Sequence, residues 1–182
     1  MKSSVKFIAR TAMFLALLVA FQWVTKPFGQ LVTGSCVNLI LAVSAMTCGF
    51  FSAAIVALCS PFLAFVLGIG PQIIGVVPMV ALGNLVYIAV ICALIKLMSR
   101  KVGSFVGCAA AGVVCGAVLK FLTLYLLIVK CLVPSLLASS AIVEKQAAVL
   151  GASFGVTQMI TALIGGAVAV AVVPAVRKAV KH

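Results

Sequence analysis

The chain has 182 residues, 66% of them hydrophobic and only 8% charged, whereas a water-soluble domain carries about 25% charged residues; composition therefore excludes a soluble protein. Thirteen Lys and Arg stand against one acid, Glu144, for a net charge of +12. In a soluble chain that balance would suggest nucleic acid, but here the cations collect at the ends of apolar runs, which is how membrane orientation is encoded.

Lys2, Lys6 and Arg10 precede the first apolar run. That run continues through LALLVAFQWV without a small-x-small cleavage site, so it reads as a retained first helix rather than a signal peptide. From Pro27 to Ile95 there is no Asp, Glu, Lys, Arg or His, several times the roughly 20 residues needed to cross a bilayer once. Breaks fall at KPFGQLVTG (26–34), CGFFS (48–52), GIGPQIIG (68–75), SRKVG (99–103) and a longer segment at 130–146. They predict spans over 7–25, 35–50, 53–69, 74–97, 102–129 and 147–174. Strands of a barrel would alternate in polarity every second residue, and these runs do not. The expectation is an all-α integral membrane protein, one domain over 1–182, folded as a compact bundle of six transmembrane helices. Five spans remain possible if 35–69 forms a re-entrant pair.

Charge orients the bundle. With both termini cytoplasmic, Lys2, Lys6, Arg10, Lys96, Arg100, Lys101, Arg177, Lys178 and Lys181 face inside, while Lys26, Lys120, Lys130 and Lys145 lie toward the outside. The inverted topology reverses the positive-inside bias. The seven cysteines form no CxxC pair, and the single His is His182. A disulfide framework or a metal site is therefore not expected. No internal repeat is visible, which argues against an inverted-repeat transporter.

Small residues recur at helical spacing. The first span has Ala9, Ala12, Ala16 and Ala20; the fifth has Gly103, Gly107 and Ala111, with Gly112 and Gly116; the sixth has Gly151 and Gly155, then Ala162 and Gly166. Such faces let helix backbones approach closely in lipid. In spans five and six they read as packing within the bundle. In the first span, packing against a second membrane subunit is as good a reading.

Polar groups share a depth. Span four entering near Ile74 places Asn84 roughly 15 Å down, and span six entering near Ala147 places Gln158 about 16 Å down. Lys120 lies between the outer surface and about 15 Å below it. Tyr87 and Thr161 each follow a polar neighbour by three positions, on the same helical side. Gln72 and Lys26 belong to outer loops that could cover a pocket. Each has a plainer reading: Lys120 snorkelling to headgroups, Asn84 and Gln158 bonding neighbouring helices, Tyr87 packing. Together they point to a site, because ionisable groups within a membrane tend to mark substrate paths. A lysine without an acid near it awaits an anion, such as a carboxylate, and Tyr87, Trp23 or Tyr125 could meet a planar ring. Enzymatic catalysis is not expected: no GxSxG, HExxH or Walker motif occurs, and the one acid sits in a loop. No cofactor is implied.

With these features, the chain resembles the substrate-binding membrane subunit, or S component, of an energy-coupling-factor transporter. The likeness lies in six spans, the Ala12, Ala16 and Ala20 stripe, and the stretches VTGSCVNLIL, SPFLAFVLGIGPQ, VPMVALGNLVY and FGVTQMITALIGG. It implies a multi-pass protein of the bacterial cytoplasmic membrane that captures a vitamin or similar micronutrient from outside. It also implies partners: a transmembrane coupling subunit, docked on Ala12 and Ala16, and two ATPases that supply the energy. Asn84, Lys120 and Gln158 then become pocket residues. Two other classes stay open, a passive channel or facilitator and a structural or assembly protein of the membrane.

Overall fold

The computed structural model describes residues 2–102 and 104–180, with side chains over 4–98 and 104–178. Gly103 and Lys181 lie outside the described residues, as do the side chains of Lys2, Arg100 and Lys101. Among the described residues the chain is helical and has no strand. Its helices are α1 (Lys2–Thr25), α2 (Gly29–Cys48), α3 (Phe50–Val66), α4 (Val76–Val102), α5 (Phe105–Leu124), α6 (Val133–Ala138), α7 (Glu144–Phe154) and α8 (Val156–Val180). A short 3-10 turn, Lys26–Phe28, joins α1 to α2, and a π-helical segment, Tyr125–Leu132, joins α5 to α6.

Four helical stretches are long and apolar enough to cross a membrane, Ser4–Cys48, Val76–Met98, Phe105–Ala138 and Glu144–Lys178, and Phe50–Val66 is a shorter apolar helix. The first stretch folds back on itself. Gly29 sits at φ 80°, a left-handed value that side chains resist, and α1 and α2 pack side by side. Gly49, at φ 82°, does the same between α2 and α3. The run predicted as one helix over 147–174 is two, since Gly155 ends α7 and α8 starts at the next residue. The fifth predicted span does not stop near 129 but continues through the π-helical segment into α6.

Burial divides each helix into an inner and an outer face. On α1, Thr11, Phe14, Leu18, Gln22 and Thr25 are buried, a spacing of three and four that marks one side. On α8, Ile160, Ile164, Val168 and Val172 remain exposed along one line. An apolar exposed face of that length suits lipid rather than water.

The inner faces make a core of Leu18, Leu41, Val56, Tyr87, Ile88, Ile91, Val113 and Val173 with interleaved alanines. Glycines let α4 and α5 approach: a methyl group at Gly112 would lie 3.1 Å from Ile91 Cα, and one at Gly116 would lie 3.0 Å from the Tyr87 ring. This is the internal packing that the spacing predicts, borne out for Gly112 and Gly116 and, on α8, for Gly166 against Val113 and Tyr87. Gly107 is exposed and meets only Ser104 of its own turn, and Gly151 meets nothing within 4 Å, so those positions do not pack inside the bundle. At the other end of the bundle, Val76, Leu124, Ile128, Val133, Ile142, Leu150 and Phe154 form a second cluster. It is assembled from the start of α4, the end of α5, the π-helical segment, α6 and α7.

Candidate functional site

A polar cavity lies beside the boundary between the two clusters. Its key member is Lys120, on α5, 2% exposed. Its ammonium donates to Asn38 Oδ1 at 2.6 Å and to Asn84 Oδ1 at 2.7 Å, and stands 5.5 Å from the centre of the Tyr87 ring. An ammonium has three donors, and these two amide oxygens take two of them. Both amides are neutral. The chain's one acid, Glu144, opens α7 at a position that complements a helix N-terminus.

The amides are themselves fixed. Pro61, inside α3, has no N–H to give the carbonyl four residues earlier. That carbonyl belongs to Ala57, and Asn84 Nδ2 donates to it at 3.5 Å. Asn38 Nδ2 donates to Thr161 Oγ1 at 3.2 Å, and Thr161 Oγ1 in turn donates to Gln158 O at 3.1 Å. One network thus ties α2, α3, α4, α5 and α8 around a single cation.

Lys120, Asn38, Asn84 and Gln158 line a cavity of about 100 Å³, with Gln22, Gln30, Ser60 and the α3–α4 loop around it. Gln30, Thr33, Ile69, Gly70 and Pro71 also line a second, wider cavity of about 550 Å³, where Lys26, Gln72 and Lys145 are found. The two form a vestibule and an inner chamber. Lys26 also donates to Leu67 O at 3.3 Å, which holds the α1–α2 turn against the end of α3.

The residues singled out from the sequence therefore divide. Lys120, Asn84 and Gln158 come together at the inner chamber, and Gln72 stands in the vestibule. Tyr87 and Thr161 lie behind the chamber wall, fully buried. Tyr87 donates its hydroxyl to Ala162 O at 2.9 Å, and its ring lies under the ammonium. Trp23 is exposed beneath Lys26, and Tyr125 stacks near Phe121 and under Lys130. Ala9, Ala12, Ala16 and Ala20 are all exposed, on the side of α1 opposite its buried stripe.

Asn38 and Gln22 were not singled out. Asn38 lies nine residues into α2, about 14 Å from its start at Gly29; measured from the predicted start at 35 it is only about 5 Å down, so depth did not single it out. Gln22 carries a plainer signal, an amide within an apolar helix, but it lies on the side of α1 opposite the alanine stripe.

The fold and the site thus define a helical membrane protein with a polar chamber among its helices, reached through a vestibule at one end. A family model for the substrate-specific component of ECF transporters matches residues 6–177. The chain belongs to that family, whose members bind transport substrates and are not enzymes. No curated protein and no solved structure matches the chain.

Proposed function

We propose that this chain is the capture subunit of an ATP-driven importer for a micronutrient, a vitamin or vitamin-like compound carrying a carboxylate. The observation behind this reading is the Lys120 ammonium, desolvated in the chamber wall with neutral partners only. A carboxylate is the complementary charge, and a charge-assisted hydrogen bond in a dry site is stronger than one in water. Lys26 and Lys145 in the vestibule draw an anion toward it. Gln72, Gln158 and Asn84 contribute neutral contacts along the path. Tyr87 and Thr161 hold Lys120 and Asn38 in place from behind.

Six crossings with both termini cytoplasmic agree with the basic residues. Lys6, Arg10, Arg177 and Lys178 stand at the end remote from the chamber, where Arg177 lies 4.0 Å over the Phe105 ring. The chamber then opens to the exterior of a bacterial cell. Energy comes from two ATPases through a membrane coupling subunit, and the exposed stripe Ala9, Ala12, Ala16 and Ala20 is the face that meets it. The packed core beneath Lys120 favours capture over passive conduction.

Two experiments test this. Replacing Ala12 and Ala16 with Leu, in cells that hold the whole transporter, should abolish uptake while the isolated subunit keeps its ligand. Normal uptake by the double variant would end the coupling assignment. Mass spectrometry of the metabolite retained by the purified protein should find a carboxylate, absent from Lys120→Met; a neutral or cationic metabolite would end the charge assignment.

A further inference from the structure

Lys120 addresses one end of a bound molecule. A second polar group in the same chamber, Gln22 of α1, has no assigned task. Gln22 is 3% exposed. Its Nε2 donates to Ser60 Oγ at 3.5 Å, the outer limit for such a bond. Its Oε1 is the one buried side-chain nitrogen or oxygen without a hydrogen-bond partner among the described residues. Buried polar atoms in folded proteins are paired in the great majority of cases, and an exception calls for a reason.

The neighbours sharpen the contrast. Thr11 and Thr25, on the same face of α1, are both satisfied within the fold, by Ser52 and the Phe7 carbonyl and by the Phe21 carbonyl. Asn38 and Asn84 have both ends of their amides engaged. Gln22 is set apart from Gln30 and Gln158, which line the same chamber, because its carbonyl is enclosed by the fold and still has no partner.

We propose that Gln22 determines specificity. With a molecule in the chamber the Gln22 amide turns toward it, and Oε1 accepts a hydrogen bond from an N–H or O–H of the same molecule whose carboxylate meets Lys120. This rests on the carboxylate reading of the Lys120 site. The amide nitrogen of Gln22 has two donors, and Ser60 takes one. A cyclic amide, with N–H and C=O on one edge, satisfies both remaining groups of Gln22 at once. The chemical class is therefore a small carboxylate that also bears a lactam or ureido edge, not a fatty or simple aromatic acid. A donor-free acid leaves Oε1 buried and unpaired, which is the basis of discrimination.

The test uses the purified full chain in detergent. The probes are pyroglutamate, orotate and 6-oxo-1,6-dihydropyridine-3-carboxylate, each beside its N-methyl analogue, titrated calorimetrically. At least one N–H probe should bind about tenfold or more tightly than its N-methyl partner. In Gln22→Met, of similar volume, that preference should vanish. The unliganded Gln22→Met protein should stay folded, with its melting temperature shifted only slightly, because the unpaired Oε1 is removed while Ser60 Oγ loses its partner. Equal binding of the paired probes, or a preference that survives in Gln22→Met, would each overturn the proposal. Carboxylate binding that depends on Lys120 but ignores the N–H would overturn this inference and leave the Lys120 reading standing. No binding by any probe would count against both.

Discussion

The two apolar clusters of this molecule are built by different means. Beneath Lys120, long helices meet along glycine and alanine faces, so that backbone lies against backbone at Gly112 and Gly116. Above it, the second cluster is made of pieces: the first turn of α4, a π-helical segment, the six residues of α6 and the eleven of α7. The first cluster has few ways to yield. The second is joined by short elements and loops, with most of its contacts between α7, α6 and the π-helical segment. The chamber lies beside their boundary, so its cation is held by the stiff half, while the route to it runs past the other. On the proposed function, anchoring and admission fall to separate parts of one bundle.

Four measurements sharpen or break this contrast. The largest effect is expected from Asn38→Leu, which leaves the Lys120 ammonium short of a partner; it should cost about 3 kcal/mol, near the upper end for a hydrogen bond to a charged group. Thermal unfolding in detergent checks it. Adding Lys120→Met should restore much of the loss, and purely additive effects would show that the two side chains are not coupled. Next comes Gly112→Val, where the new side chain meets the Ile91 backbone rather than a movable side chain; about 2 kcal/mol is expected, as for overpacking elsewhere.

In the second cluster, Ile142→Val should cost about 1 kcal/mol. Its signature is local: amide exchange should quicken about fivefold in α6 and α7 and stay unchanged in α4 and α5. A uniform change across all helices would mean that the two clusters are one cooperative unit. The smallest effect belongs to Lys145→Gln. It should slow the association of an anionic ligand a few-fold at low salt, with the difference fading as ionic strength rises.

Much of this was legible in the sequence, for identifiable reasons. Membrane helices leave a compositional trace, and the breaks at Pro27, Gly49 and Gly70 fell where helices end or turn. Lys120, Asn84 and Gln158 could be brought together from a rise of about 1.5 Å per residue alone. That arithmetic carries no rotation, so it could not separate Asn84, in the chamber wall, from Tyr87 and Thr161 behind it. The division of α7 from α8 at Gly155 was hidden because glycine is common inside membrane helices. Asn38 was missed because its span is predicted to begin at 35, which puts it only about 5 Å deep, whereas α2 begins at Gly29. The freed carbonyl of Ala57 could have been inferred from Pro61, but its acceptor role depends on Asn84 lying across from it, a matter of tertiary geometry.

The π-helical segment Tyr125–Leu132 has a consequence for how this chain tolerates changes in length. Each wide turn accommodates roughly one residue more than an ordinary turn. Deleting a single residue there lets the backbone close into an ordinary α-helix, so the wide turn absorbs the loss and Val133 keeps facing Ile142 and Leu150. The same deletion within α5 has no spare residue to give up, and it turns everything downstream by about 100° around the axis. The segment is therefore slack in the rope: the upper half of the molecule stays moored when a residue is lost here and comes adrift when one is lost a turn earlier.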